Sequence, residues 1–128
     1  MSKKEGILDE FGNELVKQTI NRSMNIYKGL LCEANNPLRK NELLSPILEK
    51  LGNVDKEALI ELLDHFAVHN THAFLDFIEN GRVEPSGCEL SIILTQPNGT
   101  KTFLLDICDS LGGELVDEGG WVDLYVNH

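Results

Sequence analysis

The fold is decided by one stretch, DKEALIELLDHFAVHNTHAFLDFIENG, which spans residues 55–81. Its apolar residues recur three and four positions apart, which predicts one helix or two nearly collinear helices. Asp55 is a good N-cap, Glu57 places negative charge in the first turn, and Gly81 supplies the left-handed residue that commonly ends a helix. The predicted core face consists of Leu59, Leu63, Phe66, Ala73, Phe74 and Phe77, with Ile60, Leu62 and Ile78 at its margins.

A second, narrower line of side chains borders this apolar face and carries possible metal ligands. His65, His69, His72 and Asp76 lie within about 60° of one another around a straight helix. Because the outermost two are about 16 Å apart along the axis, one zinc or nickel ion could be shared only by His65 with His69, or by His69 with His72 and Asp76. A helix break at residues 70–71 would change these angles. The alternative is that the histidines line the rim of the core and bind carbonyls or water.

The chain of 128 residues is long enough for one domain, with a helical part at about residues 7–80 and a strand part at about 88–126. A long amphipathic helix is predicted for residues 7–34, with one extra step in the apolar spacing between Leu15 and Ile20. Gly12 lies inside this helix, where a glycine favours a kink or an interruption. A turn near residues 38–44 precedes a short helix that begins at Ser45 as N-cap and Pro46 as its first residue.

The apolar period changes from helical to alternating after Gly81. Every second position from residue 88 to residue 94 is apolar, which predicts a half-buried strand; these positions are Cys88, Leu90, Ile92 and Leu94. The sequence QPNGT at residues 96–100 predicts a hairpin into a second strand at 101–108, and residues 121–126 are predicted to form the last strand. The predicted class is therefore α+β, with N-terminal helices packed on one face of a C-terminal antiparallel sheet of three or four short strands.

Charge is distributed unevenly along the chain, which has a net charge of −10. Residues 1–56 contain nine Lys or Arg and eight Asp or Glu, whereas residues 57–128 contain two and thirteen. Such a field repels nucleic-acid phosphate and anionic lipid, so we expect no nucleic-acid or membrane binding and favour a basic protein partner. The alternative is that the acidity only keeps the protein soluble. In either case we expect a monomer or a homodimer.

Cellular location is indicated by what the sequence lacks. No signal-peptide core and no apolar window of membrane-spanning length occurs, so we expect a cytoplasmic protein. Cys32, Cys88 and Cys108 are odd in number and contain no C-x-x-C pair, which predicts small core residues rather than disulfides or a thiolate zinc site.

The acidic, glycine-rich end of the chain is the predicted partner-binding surface. Trp121 and Tyr125 would share one face of the last predicted strand with Asp123 between them, and aromatic rings beside carboxylates suit the Arg and Lys side chains of a partner. The alternative is that Trp121 packs on a helix. The surface comprises Asp109, Glu114, Asp117, Glu118, Trp121, Asp123 and Tyr125. No nucleophile-elbow, P-loop or dinucleotide motif is present, so a non-enzymatic role is favoured and no catalytic residue or required cofactor is predicted.

Two C-terminal segments carry a resemblance. The FLDF of residues 74–77 and the GGELVDEGGWVDLY of residues 112–125 resemble small acidic bacterial proteins of the toxin-immunity type. The resemblance implies a cytoplasmic immunity or inhibitor protein that covers the active site, or a nearby surface, of a basic toxin or enzyme. A metal-binding protein that uses the histidine line remains the alternative, and a structural or adaptor subunit of an assembly is a third possibility.

Overall fold

Helices form the N-terminal part of the protein and short strands follow them, which confirms the predicted α+β class. The computed structural model describes residues 3–33, 35 and 37–127. In chain order the helices are α1 (Lys3–Val16), α2 (Arg22–Cys32), α3 (Ser45–Lys50), α4 (Asn53–Asn80), α5 (Leu111–Val116) and α6 (Trp121–Tyr125). The strands are β1 (Arg82–Val83), β2 (Cys88–Glu89), β3 (Ile93–Thr95) and β4 (Lys101–Phe103).

A π-helical turn at Lys17–Asn21 joins α1 to α2 without a break in the helical backbone. It lies where the apolar spacing contains its extra step, because a π turn accommodates one more residue than an α turn. The turn brings Ile20 and Asn21 into the interior beside Val16. Helix α2 ends at Cys32, and residue 34, the predicted end of this helix, lies outside the described residues.

Helix α4 is one unbroken helix, but the predicted identity of its core face is wrong. Its buried residues are Thr71, Leu75 and Ile78, whereas Phe66 is 60% and Phe74 57% exposed. Phe77 and Ala73 are also exposed, and Leu59 and Leu63 are only half-buried. Apolar residues surround most of this helix, so periodicity alone did not identify the side that packs against α2 and α5.

The helix ends differ from the predicted caps. Gly52 is the N-cap of α4, so Asp55 lies in the first turn, and Gly81 has an extended backbone with φ −84°. Gly81 is nevertheless sterically required, because a β-carbon there would lie 2.4 Å from the carbonyl oxygen of Phe77. Helix α3 has Leu44 as its N-cap rather than Ser45, with Pro46 near its start as predicted.

The four strands form two separate two-stranded antiparallel sheets, β1–β2 and β3–β4, rather than one continuous sheet. The predicted hairpin is present, with Ile93 opposite Phe103 and Thr95 opposite Lys101. Its strands are shorter than predicted, because residues 88–94 do not form one strand and β4 ends at Phe103 rather than at residue 108. After β4 the chain turns into a 3₁₀ helix at Leu104–Asp106 and then into α5. The predicted final strand at residues 121–126 is wrong, because Trp121–Tyr125 is helical.

The hydrophobic core joins the first helices to the C-terminal part of the chain. Trp121 is 1% exposed and packs edge-to-face on Phe11 of α1, with ring centroids 5.8 Å apart. The buried cluster consists of Leu8, Val16, Ile20, Leu75, Leu104, Leu111, Leu115 and Trp121. This core fixes α5 and α6 against α4 and α1, and so positions the acidic end of the chain.

The cysteines are free thiols, but two of them are not core residues. Cys32 and Cys88 are exposed, which contradicts the prediction, and Cys108 is half-buried beside the core. Within the described residues, no helix combines the length and the apolar character needed to cross a membrane.

Candidate functional site

Four of the predicted partner-binding acids line one concave surface, which we call the acidic cavity. It encloses about 280 Å³ between the start of α5 and the loop that joins α5 to α6. Its walls are formed by Asp109, Ser110, Gly113, Glu114, Asp117, Glu118, Gly119 and Gly120. The fold thus brings Asp109, Glu114, Asp117 and Glu118 together.

Two side-chain hydrogen bonds hold the first turn of α5, which forms one wall of the cavity. The hydroxyl of Ser110, the N-cap, accepts a hydrogen bond from the backbone N–H of Gly113 at 3.0 Å. The Glu79 carboxylate of α4 accepts one from the N–H of Leu111, also at 3.0 Å. Both bonds satisfy N–H groups that have no partner inside the helix. The cavity wall is therefore tied to the long helix α4.

The loop after α5 folds back tightly on the helix. Gly119 has φ +73°, a left-handed conformation that glycine adopts at little cost, and its N–H donates to the Asp123 carboxylate at 2.8 Å. A β-carbon at Gly120 would lie 2.5 Å from the carbonyl oxygen of Glu114. The two glycines therefore permit the close approach that shapes the cavity.

Negative charge in the cavity is not compensated within the described part of the chain. Burial raises the pKa of Glu114 above its ordinary value, and the carboxylates of Asp9, Asp117 and Asp109 raise it further. Among the described residues, the ion pairs Lys17–Glu14 and Arg82–Glu89 do not reach the cavity. A cation supplied from outside would therefore relieve repulsion between these carboxylates.

The same field acts on Cys108, which precedes the cavity in the chain. Burial raises the pKa of its thiol to about 11, with further contributions from Glu114, Glu79 and Asp109. At neutral pH this cysteine is therefore a protonated thiol and a poor nucleophile.

The remaining predicted partner contacts occupy other positions. Asp123 is exposed at the edge of the cavity, where it binds the N–H of Gly119. Tyr125 is half-buried, and its carbonyl oxygen accepts a hydrogen bond from the Asn21 side chain at 2.9 Å. Trp121 is buried against α1 and is therefore not available to a partner, which corrects the predicted aromatic contribution of this residue. The alternative interpretation, in which Trp121 packs on a helix, is the one observed.

The histidine line lies on α4 away from its buried side. His65, His69 and Asp76 are exposed, and the Asp76 carboxylate accepts a hydrogen bond from Asn80 at 2.8 Å. His72 is half-buried, and its Nε2 atom lies 2.8 Å from the place where a β-carbon of Gly112 would be. Helix α4 continues through residues 70–71, so the angles assumed for the four ligands hold. Among the described residues, no group of three or more His, Cys, Asp or Glu side chains is arranged to hold a metal ion.

A depression lined by apolar residues and by the three histidines of α4 was not identified from the sequence. It encloses about 660 Å³ between α4 and α5, and we call it the α4 groove. Its lining consists of Leu62, His65, Phe66, Val68, His69, His72 and Val116. The signal was present in the excess of apolar residues around α4, which is larger than one packing face needs.

Comparison with known proteins identified no relative of this chain. No family model matches the chain, and no curated protein or solved structure matches it significantly.

Proposed function

We propose that this protein is a non-enzymatic acidic binding protein that receives a basic protein partner at the acidic cavity. Most concretely, it acts in the cytoplasm as an immunity or inhibitor protein that neutralises a basic toxin or enzyme. We propose neither nucleic acid nor membrane as a ligand, because the negative field of the chain repels both phosphate and anionic lipid.

One observation carries the proposal. Asp109, Glu114, Asp117 and Glu118 converge on one concave surface and have no ion-pair partner among the described residues. Bringing carboxylates together without cations costs free energy, and the pKa of Glu114 is raised first by burial and then by the neighbouring carboxylates. A partner that places Lys or Arg side chains there regains this free energy on binding, which gives both affinity and fast, salt-sensitive association.

The inhibitor role is supported by the position of the resemblance noted in the sequence. The segment at residues 112–125, which resembles the toxin-immunity type, contains most of α5 and the loop that shapes the cavity. Enzymes that act on nucleic acids carry basic surfaces, and an acidic protein can cover such a surface. A basic nuclease toxin is therefore the partner class that best suits the cavity.

The test is a pull-down from the native cells with three tagged baits at low ionic strength, read by mass spectrometry. The baits are the wild-type protein, a cavity variant with Asp109→Lys, Asp117→Lys and Glu118→Lys, and a control with Glu10→Lys, Glu49→Lys and Glu57→Lys. All six positions are exposed, and both variants change the net charge equally. We expect a stoichiometric basic protein on the wild-type and control baits, released by salt, and its loss from the cavity variant.

Purified partner then allows a quantitative measurement of the association rate constant as a function of salt. The cavity variant is expected to associate at least about tenfold more slowly than the control variant. Equal association rates for the two variants would show that only net charge matters and would remove the cavity from the proposal.

Metal binding is the second candidate function, favoured by the exposed pair His65 and His69 one turn apart on the unbroken helix α4. Two imidazoles at this spacing can chelate zinc or nickel, with further ligands from a second molecule. Titration of chelator-treated protein with zinc measures this directly. Loss of binding in His65→Ala/His69→Ala but not in His72→Ala would assign the pair, and unchanged binding in the double variant would exclude it.

A further inference from the structure

Helix α4 exposes an apolar side that no described element covers. Leu62 is 63% and Phe66 60% exposed, and both line the α4 groove. The opposite wall contains Val116 of α5, which is 46% exposed. Contiguous apolar surface of this kind marks a place where another molecule binds, since covering it removes it from water.

The groove and the acidic cavity share α5. Val116 lines the groove, and the next residue, Asp117, lines the cavity. Likewise, a β-carbon at Gly112 would meet His72, which lines the groove, and the next residue, Gly113, lines the cavity. A single ligand lying across α5 would therefore meet an apolar strip on one side and carboxylates on the other.

The length of the groove suits a helix. From Leu62 to His72 its α4 wall extends over about 15 Å, which matches about three turns of a bound helix. A helix that binds in a groove does so through apolar side chains at i, i+4 and i+7. The adjoining carboxylates require basic residues along one flank of such a helix.

We infer that the α4 groove binds an amphipathic basic helix of the partner, with its apolar side chains against Leu62, Phe66 and Val116 and its Lys or Arg side chains in the acidic cavity. The inference rests on the proposed function and specifies the chemistry of the partner. A second copy of this chain is disfavoured as occupant, because two copies with a net charge of −10 would place like charges at the contact.

The test uses a labelled synthetic helix of about 18 Leu, Ala and Lys residues, with leucines at i, i+4 and i+7 and lysines on one flank. Two matched probes accompany it, namely a scrambled peptide of identical composition and a peptide with Glu in place of Lys. Fluorescence anisotropy measures affinity for each. We expect the patterned Lys peptide to bind at least about tenfold more tightly than either matched probe.

The decisive variant is Phe66→Gln, and its matched control is Phe74→Gln. Both rings are similarly exposed on α4, but only Phe66 lines the groove. Phe66→Gln is expected to weaken binding of the patterned peptide about tenfold, and Phe74→Gln less than about twofold. Asp117→Lys/Glu118→Lys is expected to weaken it as well and to flatten its salt dependence.

The outcomes separate this inference from the proposed function. If the charge variant weakens binding and Phe66→Gln does not, the peptide occupies the cavity alone, which overturns the inference and leaves the proposed function standing. The cavity has no role if Phe66→Gln weakens binding, Asp117→Lys/Glu118→Lys binds the Lys peptide as tightly as the wild type does, and the Glu peptide binds as tightly as the Lys peptide. Both proposals then fail. Sedimentation equilibrium that shows a dimer abolished by Phe66→Gln would assign the groove to a second copy and overturn the inference.

Discussion

Gly12 of α1 lies directly against the indole ring of Trp121. A β-carbon at Gly12 would be 2.2 Å from Cε2 and 2.4 Å from Nε1 of the indole, well inside any van der Waals contact. The glycine predicted to kink the helix instead lies within continuous α-helix, where it makes room for the largest buried side chain of the core. This contact joins the first helix to the last one.

Gly12→Ala should therefore destabilise the protein. The added methyl group must displace the indole or the helix, at a cost of about 1–3 kcal/mol in the free energy of unfolding, measured by urea denaturation. Gly6→Ala is the matched control, because it lies in the same helix and a β-carbon there meets nothing within 4 Å. The control should gain up to about 1 kcal/mol from helix propensity. Equal effects of the two substitutions would contradict the observed contact.

The same pair can be tested for coupling. Trp121→Leu removes the ring that the new methyl group would meet, so Gly12→Ala should cost less in that background than in the wild type. Additive effects, with no coupling energy between the positions, would mean that the new methyl group does not act through the indole ring of Trp121.

Asn21 in the π-helical turn fastens the C-terminal end of the chain. Its amide donates to the carbonyl oxygen of Tyr125 at 2.9 Å, and its carbonyl oxygen accepts from the N–H of Asn127 at 2.8 Å. Asn21→Ala should cost about 1–3 kcal/mol and accelerate hydrogen exchange at Asn127. The exposed Asn13, in α1, provides the control. Unchanged exchange at Asn127 in Asn21→Ala would show that the bonds contribute nothing to stability.

Glu114 should make stability fall as pH rises above about 4.5. Its pKa is higher in the folded state than its ordinary value of 4.5, so as pH rises the unfolded chain loses this proton before the folded protein does. The unfolded state is thereby favoured, and the free energy of unfolding falls. The Gln side chain of Glu114→Gln is neutral at every pH. We therefore expect this variant to be more stable than the wild type at pH 7 and similar to it below pH 4.5. Urea denaturation across this range measures the difference, with the exposed Glu61→Gln as control. A destabilised Glu114→Gln at pH 7 would contradict the assigned repulsion.

Cys108 should react far more slowly with iodoacetamide than the two exposed cysteines. With its pKa at about 11, about one molecule in a thousand carries the thiolate at pH 8. Mass spectrometry of peptides should show early modification at Cys32 and Cys88 and late modification at Cys108. Glu114→Gln removes one neighbouring negative charge and should accelerate the reaction at Cys108. Rates that become equal in urea would confirm the folded environment as the cause, and equal rates in the native protein would refute it.

Local signals predicted several elements correctly. The helix predicted for residues 55–81 is observed at Asn53–Asn80, and the hairpin around residues 96–100 is present. The irregular spacing between Leu15 and Ile20 was visible in the sequence, although it was not interpreted as a π turn. Four of the predicted acids share a cavity because they lie within about ten residues of one another around one short helix. Their proximity in the chain made their proximity in space predictable.

The side of α4 that is buried was decided only by packing. Apolar residues occur around most of this helix, and any of several faces could have entered a core. Contact with the π turn, α2 and α5 buries Thr71, Leu75 and Ile78 and leaves Phe66 and Phe74 exposed. The α4 groove was therefore not predictable from periodicity.

The sequence by itself determined the helices before residue 81, the hairpin and the acidic end, because apolar periodicity, turn residues and charge act over a few neighbouring residues. The tertiary structure alone decided that Trp121–Tyr125 is helical and that Trp121 is buried on Gly12, more than a hundred residues away in the chain. Such a choice depends on which distant surfaces fit together, since burial of a large ring outweighs the weak preference of a five-residue segment for strand.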